Sequence, residues 1–126
     1  MRTFIFCTKD GFKRVFDFKG RTKRRDHWLF ALGAYLSYLL SFFTLAFVMR
    51  LLIVFDTGII GSIFIWIFTA FSVLLLLFCL LAYVSSVIRR IHDSGKSGWF
   101  YLVPFYNFYL LLKKGDIDAN KWGSPN

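Results

Sequence analysis

Two blocks of this chain, Trp28–Met49 and Ile59–Ile88, contain no Lys, Arg, Asp or Glu at all. An apolar run of about 20 residues can cross the hydrocarbon core of a bilayer as a helix. Inside lipid, only a helix or a closed barrel satisfies every backbone N–H and C=O. Neither block alternates with period two, which argues against barrel strands. The blocks therefore dictate an all-α integral membrane protein with two transmembrane helices. A chain of 126 residues has room for one domain. Its 57% apolar and 21% aromatic content lies far above that of a soluble domain.

The charges are segregated. Residues 1–27 hold nine of the sixteen Lys and Arg, and residues 51–88 hold none. A net charge of +9 raises the question of nucleic acid. The basic residues, however, sit beside the ends of the apolar blocks, where they act as topology signals and attract anionic lipid. Nucleic acid is the weaker reading. Arg21, Lys23, Arg24 and Arg25 stand just before His27 and Trp28, which predicts a cytoplasmic N-terminus and a multi-pass protein. Cys7 and Cys79 lie in unrelated contexts and suggest no disulfide framework. The patch Phe4–Cys7 is too short for the core of a cleavable signal, so the block from Trp28 reads as an uncleaved anchor.

The expected order is a basic, amphipathic segment (1–27), span 1 (28–49), an outer loop (50–58) and span 2 (59–88). A cytoplasmic loop (89–98), a short third apolar segment (99–114) and a polar tail (115–126) follow. Within 8–19, Phe12, Val15 and Phe16 fall at i, i+3 and i+4, which suits an amphipathic helix on the membrane surface, broken by Gly20. Gly33, Ser37 and Ser41 recur every four residues in span 1, a spacing that lets another helix approach closely. Packing against span 2 is favoured over a homo-oligomer interface. The outer loop carries Arg50 and Asp56. Span 2 runs thirty residues, about 45 Å as a helix against roughly 30 Å of hydrocarbon. It must tilt, or project into the cytoplasm near Ser85 and Ser86.

The third segment is shorter and is interrupted by Pro104 and Asn107. Pro104–Asn107 reads as the tip of a re-entrant hairpin, with a marginal third span as the alternative. Charge favours the hairpin, which leaves fifteen of the sixteen Lys and Arg on the cytoplasmic side.

The stretch IRRIHDSGKSGW, Ile88–Trp99, concentrates the polar chemistry. Asp93-Ser94-Gly95 is a helix stop, and Arg89, Arg90 and His92 complement the negative end of the helix dipole. Ser97 can cap what begins at Gly98, while Trp28 and Trp99 can anchor at the interface. A metal site would need His92 and Asp93 with His27 and Asp26, but no third ligand is suitably spaced, and no metal or other cofactor is expected. A catalytic His92–Asp93 pair lacks the glycine pattern of a nucleophile elbow around Ser94 or Ser97. Arg21, Arg24, Arg89 and Arg90 could fork onto phospholipid phosphates. They could instead form a cytoplasmic cap in which Arg21 or Arg24 pairs with Asp93.

Three segments, FDFKGRTKRRDHW at Phe16–Trp28, RRIHDSGKSGW at Arg89–Trp99 and NKWGSP at Asn120–Pro125, resemble the small bacterial inner-membrane family called domain of unknown function 805. The resemblance covers nearly the whole chain. Its recurrent positions match at Gly20, Arg21, Arg24, Trp28, Arg89, Arg90, His92, Asp93, Gly95, Ser97, Gly98, Trp99, Pro104, Asn120 and Gly123. Ile91 stands where the family usually has Leu, and Asn107 where glycine is common. The approach to Asn120 lacks the usual Gly-Thr-Pro-Gly. Membership implies a bacterial inner-membrane location and no established activity. The expected function is non-enzymatic binding of anionic membrane lipid, or of a membrane partner, through residues Arg21, Arg24, Arg89, Arg90, His92, Asp93 and Ser97. The alternatives are an oligomeric channel or transporter subunit, and an enzyme acting on lipid phosphate through His92 and Asp93.

Overall fold

A computed structural model describes residues 3–54 and 58–124, so Asp56 of the expected outer loop lies outside the described residues. The described chain is helical: α1 (Phe4–Lys13), α2 (Arg24–Val54), α3 (Gly58–His92) and α4 (Tyr106–Leu112), with a 3-10 turn at Gly98–Leu102. α2 and α3 are long and apolar enough to cross a membrane. Their most apolar windows are 0% and 6% buried, so their side chains face outward rather than into a protein core. Apolar surface on this scale needs lipid around it, and the chain is a helical membrane protein.

Both helices outrun their charge-free blocks. α2 has 31 residues, about 47 Å, and α3 has 35, about 52 Å. The surplus of α3 is not left projecting. From Ala82 to Ser94 it is largely enclosed by α1, α4 and the tail, and Ser85, Ser86, Arg89, Arg90, His92 and Asp93 are all buried. Arg89 and Arg90, expected in a loop, therefore lie on the last turns of a helix. Asp93-Ser94-Gly95 ends that helix as expected, with Gly95 at φ +70° and its N–H donating to the His92 carbonyl at 3.0 Å.

The amphipathic helix lies earlier than the 8–19 pattern predicts. Thr3 caps α1, its hydroxyl accepting from the Phe6 N–H at 3.4 Å. The helix stops at Lys13, and beyond it the carbonyls of Arg14 and Asp17 accept from the Ser85 hydroxyl at 3.1 and 2.9 Å, Arg14 also accepting from the Asp17 N–H at 3.1 Å. Asp17 holds the resulting turn, accepting from the Lys19 and Gly20 amides and from Arg14. Burial pushes the Asp17 carboxyl up, but those bonds outweigh it and hold the group below the usual carboxylate range. Val15 still reaches the core, against Phe30, Ala34 and Ala82, while Phe16 is exposed.

The expected small-residue stripe of α2 divides between two neighbours. A Cβ on Gly33 would meet the Thr8 hydroxyl of α1 at 2.2 Å, so this glycine admits α1 rather than span 2. Ser41 lines a groove with Phe68, Phe71 and Ser72 of α3. The Ser37 hydroxyl donates to the Gly33 carbonyl at 2.8 Å. Gly11 makes the tightest α1–α2 approach, where a Cβ would sit 2.1 Å from the Phe30 ring. Gly11→Ala is therefore expected to destabilise the protein by about 1–3 kcal/mol, because a packed ring cannot yield easily. Gly33→Ala should cost less, since Thr8 can rotate. Thermal midpoints in mild detergent will rank the two.

The third apolar segment does not span. After the 3-10 turn, Pro104 leads into Phe105 at φ +64°, and α4 follows with seven residues, about 10 Å. The left-handed residue at the tip is Phe105, not Asn107. Asn107 instead steadies the turn, its side-chain amide donating to the Tyr101 carbonyl at 2.9 Å. Leu110 and Leu111 then pack on Val87 and Ile91, and the Asp116 N–H donates to the Asp93 carbonyl at 2.7 Å. The segment leaves and returns at the same end of α3. It is a hairpin, and the tail lies on the same side as α1.

Candidate functional site: a buried arginine cap

Helical phase assembles the site. Ser85, Ser86, Arg89, Arg90 and Asp93 recur at three- and four-residue spacing and form a polar stripe where α3 leaves its apolar block. Arg89 and Arg90 are 2% and 0% exposed, Arg21 is 2% and Asp93 5%. Two of these guanidiniums, those of Arg21 and Arg90, thus share one buried carboxylate, while Arg89 bonds elsewhere. Asp93 divides itself between the two, accepting from Arg21 Nε at 3.0 Å on Oδ1 and from Arg90 Nη1 at 2.8 Å on Oδ2.

The remaining donors go to backbone. Arg21 Nη1 donates to the carbonyls of Asp118 and Gly123, each at 3.0 Å, and Nη2 to that of Asp116 at 2.7 Å. Arg90 reaches the Leu111 carbonyl at 3.3 Å and that of Lys113. Arg89 donates to the carbonyls of Arg14 and Asp17, each at 2.6 Å, and to the Thr22 hydroxyl at 3.2 Å. Three planar forks therefore tie α1, the 14–22 turn, α4 and the tail to the end of α3. Only arginine offers five donors in a fixed fork for such a task.

Of the two expected partners for Asp93, the structure selects Arg21. Arg24 is exposed, and its guanidinium donates to the Leu112 carbonyl at 3.1 Å rather than to Asp93. The geometry also corrects the picture of a lipid-facing arginine cluster. Arg21, Arg89 and Arg90 are internal staples, whereas Arg24 alone of the four faces outward. Ser97 occupies the cap position of the 3-10 turn, but its side chain makes no capping bond. Trp99 is exposed, and Trp28 is exposed on the first turns of α2.

His92 stacks on Trp122 with centroids 3.5 Å apart and planes 6° from parallel. The tail holds that tryptophan through Asn120, whose side chain donates to the His92 carbonyl at 3.1 Å and accepts from the Trp122 N–H at 2.9 Å. His27 contacts the Ser86 hydroxyl at 2.9 Å. Among the described residues, no three of His, Cys, Asp and Glu come together to hold a metal ion. Neither Cys7 nor Cys79 is in a disulfide, and the Cys7 thiol donates to Asp26 Oδ1 at 3.7 Å.

Several cap residues escape sequence reasoning. Asp118 and Lys113 contribute carbonyl oxygens to the arginines, which any residue supplies. Asp116 adds to its carbonyl an N–H donated to the Asp93 carbonyl and a carboxylate oxygen that accepts from Asn120. Gly115 passes so close to Asp93 that a Cβ would lie 1.9 Å from Oδ2. Ser85 and Ser86 had a usable signal, the four-residue phase that links them to Arg89 and Arg90.

No curated protein and no solved structure matches this chain. Residues 15–124 match the family described as Protein of unknown function (DUF805). That match runs from the core residue Val15 through the whole cap to the tail that closes it, and the chain belongs to the DUF805 family.

Proposed function

We propose that this chain is a non-enzymatic inner-membrane protein of bacteria that binds anionic phospholipid headgroups at the cytoplasmic face. One observation carries the reading. Among the described residues, the exposed Lys and Arg other than Lys9 and Arg50 lie at the capped end of the helix pair, Lys9 lying beside Leu36 and Leu40 of α2. Lys13, Lys19, Lys23, Arg24, Arg25, Lys113 and Lys114 belong to this rim, and the carboxylates of Asp17 and Asp93 are turned to internal bonds. Each basic group near an anionic leaflet contributes roughly 1 kcal/mol of attraction. The positive-inside bias supports a cytoplasmic location for this end, and with it both termini. Within this reading the buried arginines hold the rim in shape and do not touch the ligand.

Competition between phosphatidylglycerol and phosphatidylcholine for the detergent-solubilised protein, followed by native mass spectrometry, tests the proposal. The expected result is several-fold preference for the anionic lipid, weakening as salt is raised. Equal retention of the two lipids overturns it.

A further inference from the structure

The groove between α2 and α3 just below the cap carries the inference. Ala31, Ala34, Tyr35 and Tyr38 of α2 face Leu76, Cys79, Leu80 and Tyr83 of α3 around a volume of about 380 Å³. That lies within the range of small-ligand sites, roughly 300–1,000 Å³. The walls are apolar apart from the tyrosine hydroxyls, and the groove opens sideways within the apolar part of the helix pair.

At about 100° per residue, Arg24, Trp28, Ala31, Tyr35 and Tyr38 fall on one stripe of α2, each within about 40° of Arg24. The cation therefore stands over the groove mouth, two turns above Ala31, with exposed Trp28 between them. Among the described residues, Arg24 gives one bond, to the Leu112 carbonyl at 3.1 Å, and its other donors have no partner there. That bond draws the end of α4 to the mouth and sets exposed Lys113 beside it. On the α3 side, Tyr83 both lines the groove and packs against the cluster of Val87, Ile91, Leu110 and Leu111.

We propose that this groove is a specific site for one anionic phospholipid, its acyl chain lying along Ala31–Tyr38 and Leu76–Tyr83 and its phosphate on Arg24 and Lys113. The site deepens the headgroup-binding reading above and rests on it. An apolar slot with a cationic group at its interfacial end matches a phospholipid in both charge and layout. Arg24 suits the phosphate because it is the cap-end arginine of α2 whose fork is not consumed internally. Ala31 makes room for the chain, since a larger residue there would fill the slot from the α2 side.

The test uses the full chain in detergent with phosphatidylglycerol as probe, read by native mass spectrometry. The wild type is expected to retain one phosphatidylglycerol per chain after delipidation. Ala31→Trp should abolish that single retained lipid, and Arg24→Gln should weaken it about fivefold, the equivalent of one surface cation. Ala31→Trp should keep the wild-type thermal midpoint, because that position lies outside the buried cap, and Arg24→Gln should lower it only slightly, since its one bond, to the Leu112 carbonyl, is exposed. Glycerol phosphate, which has the headgroup without the chains, should not displace the lipid. Undiminished retention by Ala31→Trp, or displacement by glycerol phosphate, overturns the groove. Salt-sensitive preference for anionic lipid without a single tightly held molecule overturns the groove and leaves the headgroup reading standing. Absence of any anionic preference removes both.

Discussion

Asp93→Ala is expected to destabilise the protein by about 3–5 kcal/mol, the cost typical of removing one partner from a buried ion pair. The loss is large because a single carboxylate serves two buried guanidiniums, Arg21 and Arg90. Their other acceptors are neutral carbonyls, which cannot replace a full charge. Asp93→Asn keeps one oxygen acceptor in place and should fall between the alanine variant and wild type. The measurement is the unfolding midpoint in mild detergent, with the amount of protein in membranes as a second readout. A midpoint within a degree or two of wild type for Asp93→Ala would show that the cap does not depend on this charge. The double exchange of Asp93→Arg with Arg24→Asp is not expected to rescue, because Arg24 bonds Leu112 rather than Asp93.

Arg21→Lys is the second large effect, expected at about 3 kcal/mol and nearly as severe as Arg21→Ala. Arg21 spans Asp93 on one edge and three tail carbonyls on the other. A lysine ammonium keeps the charge but is a compact point donor that cannot reach both edges. The Gly123 carbonyl keeps its bond from the Asn120 N–H, so the cost falls on the Asp93 pairing and the Asp116 carbonyl, roughly 1–3 kcal/mol for a buried group left without its partner. The effect should be local as well as global. Residues 115–124 lose part of their hold on α3, keeping the Asn120–His92 bond and the Trp122 stack, so limited proteolysis should cut this tail in Arg21→Lys before it cuts the wild type. Equal cleavage rates in the two proteins would place the tail's attachment elsewhere.

The spans were legible because their signal is an absence: no charge survives in Trp28–Met49 or Ile59–Ile88. The hairpin was legible from Pro104 and from charge bias, and the Arg21–Asp93 pair was one of two options. What stayed hidden has a common physical cause. The cap is built mainly from carbonyl oxygens of Arg14, Asp17, Leu111, Lys113, Asp116, Asp118 and Gly123. Backbone acceptors leave no trace in residue identity. The turn after α1 stayed hidden for the same reason, since it is held by Ser85 and Arg89 on the carbonyls of Arg14 and Asp17. The arginines were visible, but their burial was not, since Arg is ordinarily exposed.

The separation between Arg21 and its tail acceptors has a consequence for biogenesis. Those carbonyls lie 95, 97 and 102 residues downstream. At about 5–20 residues per second, Arg21 leaves the ribosome roughly 5–20 s before its acceptors exist. Through that interval the two inserted helices can meet and the end of α1 can seat on Ser85 and Arg89, but the Arg21 guanidinium at their entrance is still hydrated. Closure awaits the last stretch of chain. Insertion into the bilayer and locking of the helix pair are thus separate events in time, and a polypeptide interrupted before its tail would sit in the membrane unlocked, a ready substrate for quality-control proteases.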